Sequence, residues 1–340
     1  MLSKRFSRLD YCQFLYTSQT NYTLTYLADH LQKCSHDTIN RFLRDHDYKP
    51  SFLWEHVSSE IIPSENGILI FDDTVLDKIN TKKIELARRQ YSGNTGGVTI
   101  GIGLVTCVYY NPELEQVWVI DYRIFSPKHD GKTKVEHVLD MLRLAVLDKK
   151  LKLKKVLMDT WYATRDIMME IDKLEKIFYC PVKANRKASR AIGNRHIPIY
   201  KFTFSNEELK HGMIVHFKDF PVRFCVKLFC NVIATDKVEY IVTNDLSQND
   251  SEVAQDECKI RWIIELFHRE IKQTTGIGKC ECRKQKIQRN HIACSMLVWS
   301  FMKRKARELG TSIYQLKEKL LNDYMIYQLR SPAIRYLEIR

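Results

Sequence analysis

The sequence predicts an α/β protein: a mixed sheet flanked by helices, with a β-strand insertion and a small helical domain at the N-terminus. Three observations carry this expectation. Gly67 to Thr74 (GILIFDDT) and Lys155 to Thr160 (KVLMDT) are short apolar runs ending on aspartate, as buried strands do when they deliver a carboxylate to a sheet edge. Around them, strands come first as an antiparallel set and then alternate with helices. Between Lys183 and about Ser247 that alternation stops and a succession of strands follows.

Taken in order, residues 1–64 read as helical. Thr23 to His46 suits two short amphipathic helices about a tight junction at Lys33 and Cys34, with Ser35 capping the second. Arg41 and Arg44 would face outward and Ile39 and Leu43 inward, the outline of a helix-turn-helix that contacts DNA; a plain helical hairpin gives the same pattern. Residues 65–182 form the first part of the main domain. GILIFDDT is followed by a basic passage from Lys78 to Tyr91, then by two apolar runs, Gly97 to Tyr110 and Gln116 to Phe125, that make a hairpin. Gly93, Gly96 and Gly97 are turn residues, since no GxxxxGK[ST] accompanies them. Thr133 to Asp148 is an amphipathic helix, KVLMDT the strand bearing Asp159, Thr164 to Leu174 a further helix and Ile177 to Val182 a further strand.

Residues 183–247 read as an inserted β subdomain, with strands at Tyr200–Phe204, Met213–Phe217, Val222–Lys227, Asn231–Thr235 and Glu239–Val242. It begins on a basic run containing Lys183, Arg186, Lys187 and Arg190, either a phosphate-contacting surface or a solvated loop. Residues 248–303 complete the main domain and 304–340 form a C-terminal helical segment. This order of elements resembles the ribonuclease H-like fold.

Composition narrows the partners. The chain has 340 residues, 44% of them hydrophobic, enough for a sizeable core. Lys and Arg number 54 against 41 acidic residues, a formal charge of +13, which favours a polyanion. No apolar tract approaches the ~20 residues of a membrane span and the N-terminus lacks the apolar core of a secretory signal, so a cytoplasmic protein is expected. Ten cysteines are too sparse for a disulfide scaffold. Cys280, Cys282, His291 and Cys294 are an imperfect zinc pattern, because a C-x-C spacing is too short for the usual C-x2-4-C, and buried thiols are the default.

The chemistry concentrates in Glu257 to Lys272, ECKIRWIIELFHREIK. Ile260, Ile263, Ile264 and Phe267 recur at helical spacing, while Arg261, Glu265 and Lys272 share the other side. On its own this is an ordinary i,i+4 ion pair. Together with the aspartates ending two strands, Glu265 completes a set of hard oxygen ligands suited to Mg²⁺ or Mn²⁺ and phosphoryl transfer.

Cys258-x2-Arg261-x3-Glu265-x6-Lys272 resembles the Tyr-x2-Arg-x3-Glu-x6-Lys signature of one group of bacterial insertion-sequence transposases, the DDE transposases. FDDT and VLMDTWYAT look like that group's two aspartate motifs, and the signature tyrosine is Cys258 here. The resemblance implies a cut-and-paste DNA transposase in which Asp73, Asp159 and Glu265 hold two divalent ions. Asp73 is preferred because Thr74 follows it; Asp72 is the second choice, since neighbours on a strand cannot share a face. It also implies that Arg261 and Lys272 grip phosphates, that Trp161 or a residue of the insertion holds a flipped base, and that the partners are transposon terminal inverted repeats and target DNA, bound by a homodimer. A ribonuclease H-like nuclease or resolvase without strand transfer, or a non-catalytic DNA-binding derivative, are the alternatives.

Overall fold

The computed structural model describes residues 6–31, 34–80, 83–234 and 237–333. The chain divides into two compact units, one of Met1–His56, Leu76–Ala87 and His268–Arg340, the other of Val57–Val75 and Arg88–Phe267.

The helices are α1 Arg8–Thr17, α2 Leu24–Asp29, α3 His36–Asp45, α4 Pro50–Val57, α5 Pro127–Asp130 and α6 Lys134–Arg143. They continue as α7 Arg165–Lys173, α8 Asn206–His211, α9 Ser251–Lys259, α10 Trp262–Thr274, α11 Gln285–Glu308 and α12 Ile313–Arg330. The strands are β1 Ile68–Asp77, β2 Arg88–Ser92, β3 Gly97–Asn111, β4 Gln116–Phe125, β5 Lys155–Met158 and β6 Ile177–Val182. The insertion supplies β7 Lys187–Ser189, β8 Ile197–Pro198, β9 Met213–Phe217, β10 Val226–Ala234 and β11 Lys237–Thr243.

In the second unit the strands follow the order β2-β3-β1-β5-β6-β11-β10-β9-β7-β8, with β4 on β3. β1, β5 and β6 are parallel neighbours, while β3 and β4 are antiparallel. The run β4-β3-β1-β5-β6 is the mixed sheet of a ribonuclease H-like fold. Ile68 to Phe71 are at most 1% exposed, as expected of a strand covered on both faces, and this is why GILIF reads as a continuous apolar run. α6 is set by a capping box, Thr133 accepting from the Glu136 amide at 3.2 Å and Glu136 accepting from Thr133 at 2.7 Å. The inserted strands extend the same sheet: β11 lies antiparallel to β6, with Val242 opposite Cys180.

Several elements differ from the sequence expectation. Tyr200–Phe204 is not a strand, because Ile199–Lys201 closes into a 3-10 turn. Val222–Lys227 and Asn231–Thr235 are replaced by a single strand, β10; Phe220 and Phe224 stack at 5.3 Å around the preceding turn, and Asn231 stays paired with Glu239. Thr235 lies outside the described residues, as does Lys33. β2 begins in the basic passage, to which the sequence reading assigns no strand: RRQYS pairs with Gly97–Gly101 across a short turn ended by Gly96 at φ +61°. The expected single helix from Glu257 to Lys272 breaks between α9 and α10, where Ile263 and Ile264 bond back three residues to Ile260 and Arg261.

In the first unit α11 is the central rod, packed against α1, α3 and α12. Ser35 caps α3 by accepting from the Thr38 amide, and Ile39 and Leu43 are fully buried, as the hairpin pattern predicted. Asn290 of α11 fixes the end of α3: its amide donates to the carbonyls of Leu43 (2.6 Å) and His46 (2.7 Å), and its oxygen accepts from the Tyr48 amide (2.8 Å). Asn290→Ala would leave one buried and two partly buried backbone groups without this partner. It is expected to lower stability by ~3 kcal/mol, read in urea unfolding as a lower midpoint at unchanged slope.

Candidate active site

The site grows from the register of β1 and β5. Phe71 is opposite Met158, so Asp72 and Asp159, one residue further on each strand, stand level at the carboxyl edge of two parallel strands. Successive side chains on a strand alternate, so Asp72 shares a face with Asp159 and Asp73 leaves on the other side. Asp72 is half-buried; burial, followed by the charge of Asp159, pushes its carboxyl up to about 8. Burial raises Asp159 as well, opposed by the amides of Tyr162 (3.0 Å) and Trp161 (2.9 Å), which donate to its Oδ1, and by Arg261.

Asp73 has different company. Lys134 Nζ lies 2.5 Å from its Oδ2, and Tyr162 Oη donates to its Oδ1 at 2.7 Å. The Lys134 ammonium in turn sits over the rings of Phe125 (5.4 Å) and Trp161 (5.6 Å), and Trp161 is 51% exposed.

Glu265, in the first turn of α10, accepts from Arg261 Nη1 at 2.7 Å. The guanidinium also interacts with Asp72 and Asp159, so it is the positive centre that three acids of the site share. Ile264 and Phe267 of α10 are buried, at 0% and 1% exposure, while Glu265 stays partly exposed beside Arg261. Cys258 is buried in α9, its thiol pushed up to about 12 by burial, and it acts as packing where the family signature has a tyrosine. Among the described residues no three His, Cys, Asp or Glu side chains converge as a finished metal-binding group; Glu265 is paired with Arg261 and Asp73 with Lys134.

The raised Asp72 has a consequence for stability. Below pH ~4 the folded and unfolded chains both keep its proton. From there to about 8 only the folded chain keeps it, so stability falls as pH rises across that window, and the loss is complete above it. Asp72→Asn is therefore expected to melt at a higher temperature than the wild type at pH 8.5 and at the same temperature at pH 4, as thermal unfolding would show.

The remaining residues singled out from the sequence lie elsewhere. Arg41 and Arg44 are exposed on α3, Arg44 pairing with Asp45 at 2.9 Å. Lys183 and Lys187 are exposed, and Arg190 pairs with Glu208 at 2.5 Å while lining an open cavity of about 460 Å³ with Arg195 and Lys201. Arg186 turns inward, stacking over Phe217 at 4.2 Å and donating to the Ala163 carbonyl, so it serves packing and not a surface. Lys272 is half-buried in the last turn of α10. His291 spends both ring nitrogens, on Tyr11 Oη (2.8 Å) and the Gly276 carbonyl (3.0 Å), and leaves none for zinc.

Sequence reasoning missed Lys134 and Tyr162. A lysine at the first position of α6 opposes the helix dipole, which was the one available signal that a nearby anion compensates it.

A ribonuclease H-like sheet with acidic side chains at the carboxyl edge of its parallel strands defines an enzyme of phosphoryl transfer. The sequence matches the profile described as Transposase DDE domain over residues 63–301, and the chain belongs to that family. It is a DNA transposase, an enzyme that cleaves DNA and transfers strands, of a family that uses divalent metal ions. Among solved structures it is similar to the piggyBac transposase synaptic complex with hairpin DNA, at 11% identity and TM-score 0.47, covering 96% of this chain and 72% of that one. It is also similar to the Mos1 transposase paired-end complex with left transposon end, at 15% identity and TM-score 0.20, covering 52% of this chain and 59% of that one. No curated protein matches the sequence. No helix among the described residues is long and apolar enough to cross a membrane.

Proposed function

We propose that the chain cuts DNA at the terminal inverted repeats of a mobile element and joins the freed ends to target DNA, with Asp72, Asp159 and Glu265 holding two Mg²⁺ or Mn²⁺ ions. The observation that carries this is the level placement of Asp72 and Asp159 at the edge of adjacent parallel strands. Their donors are hard oxygens, and burial, which raises both carboxyls, is offset when a divalent cation binds between them. Asp73, the member favoured by its neighbour Thr74, is engaged by Lys134 and Tyr162 and takes a supporting role in this reading. When bound, the ions supply an activated attacking oxygen and a stabilised leaving oxygen.

The chain's own residues do the rest. The turn after β5 holds Asp159 through two amides, so its carboxylate needs no reorganisation. Arg261 exchanges Glu265 for a DNA phosphate, which it matches as a bidentate fork, and so frees Glu265 for the cation. Lys272 contributes a point charge further along α10. Arg41 and Arg44, with Lys183, Lys187 and Arg190, contact the DNA backbone outside the site, and Trp161 is the exposed ring available to a flipped base. Two copies work on two element ends, in the cytoplasm at the bacterial nucleoid.

The test supplies purified protein with Mg²⁺, a duplex taken from the inverted repeat flanking the reading frame, and a target plasmid. Cleaved ends covalently joined to the plasmid are expected. Cleavage that never yields joined product, even from an end with a free 3′-hydroxyl, would reduce the activity to that of a nuclease.

A further inference from the structure

The sheet edge carries two cations that the reading above leaves unused. Arg88 of β2 stands over the Phe125 ring at 4.8 Å and Lys134 over the same ring at 5.4 Å, which places the two charges within about 10 Å of each other. Like charges so close repel unless an anion joins them. Asp73 neutralises one of them; the other, Arg88, has no carboxylate partner among the described residues, and its buried Nε has no hydrogen-bond partner. One positive charge is left over, next to the pair that Lys134 makes with Asp73.

We propose that Lys134 and Arg88 clamp the phosphate next to the scissile bond, with Asp73 and Tyr162 as the positioning residues that aim Lys134. The inference rests on the function proposed above and adds to it a specific pair of phosphate contacts. Three features fit a backbone phosphate over a free carboxylate or a base. The cations approach from two different elements, β2 and α6, around one apolar ring, so they can straddle a group that presents several oxygens. Lys134 is held from one side only, by Asp73 Oδ2, and an ammonium has three donors to place. The exposed indole of Trp161 completes a strip of cation and aromatic of the kind that follows a nucleic-acid strand.

The test compares the full-length wild type with Lys134→Met, Lys134→Arg and Arg88→Ala on duplexes from the flanking repeat, with the phosphate next to the cut either native or replaced by a neutral methylphosphonate. On native DNA, Lys134→Met and Arg88→Ala are each expected to cleave about 10-fold more slowly. The slope of log affinity against log salt should fall by about one in each. Lys134→Arg should restore most of the rate, and Mn²⁺ affinity measured without DNA should be unchanged in all three. On the methylphosphonate duplex the variants should cut no more slowly than the wild type. The same 10-fold penalty on the neutral duplex, or a loss of Mn²⁺ affinity in Lys134→Met, would overturn the clamp. A wild type that cuts neither duplex in Mg²⁺ would instead overturn the function proposed above, and the clamp with it.

Discussion

Asp159→Ala is expected to abolish Mg²⁺-dependent strand cleavage, by at least ~10³-fold, while binding of the terminal duplex stays within about twofold of wild type. The size follows from the position. Asp159 stands at the end of a buried strand, level with Asp72 and fixed by the amides of Trp161 and Tyr162, so no neighbouring group can move in to replace its oxygens. In the function proposed above, losing it removes a metal ligand and the several kcal/mol of transition-state stabilisation that a correctly placed ion provides. In that proposed function, DNA affinity is set by exposed cations such as Arg41, Lys183 and Lys187, which the substitution leaves untouched. Cleavage on a labelled duplex and binding by anisotropy, run on the same preparation, check both halves. Fold is monitored separately, since the substitution also leaves the Trp161 and Tyr162 amides without their acceptor.

The second large effect is a contrast between neighbours. Asp72→Asn is expected to lose cleavage to the same extent as Asp159→Ala, whereas Asp73→Asn should retain activity to within about 10-fold. The two amides differ by one residue on one strand. Asp72 faces Asp159 and the Arg261 guanidinium; Asp73 faces Lys134 and Tyr162. An asparagine at 73 keeps one acceptor oxygen, for Lys134, and turns its NH2 toward the tyrosine oxygen, so it weakens the aim of Lys134 and leaves the proposed metal ligands in place. Single-turnover rates at saturating Mg²⁺ decide the matter. Equal loss in both variants would return Asp73 to the metal site.

Much of this was legible in the chain and some could not be. FDDT, KVLMDT and the Arg261–Glu265 spacing point to the DDE transposase family because each is a local pattern: an apolar run ending on an acid, or two side chains one helical turn apart. The choice between Asp72 and Asp73 is different in kind. It depends on which residue of β5 lies opposite Phe71, and a one-residue slip of register turns every side chain to the other face. Arg186 looked like part of a basic surface because charge is visible in sequence and direction is not; Phe217 and Phe220, which draw its guanidinium inward, are some thirty residues away. β2 was missed since RRQYS is a polar edge segment whose strand character comes from pairing with β3. Lys134 was missed because its partner, Asp73, is 61 positions distant.

The most direct measurement is a calorimetric titration of Mn²⁺ into the DNA-free protein and into its Asp72→Asn and Asp159→Ala variants. Saturable binding by the wild type that vanishes in both variants and persists in Asp73→Asn is the expected result. Binding that survives the loss of Asp72 and Asp159 together would contradict a metal centre built on the ends of β1 and β5.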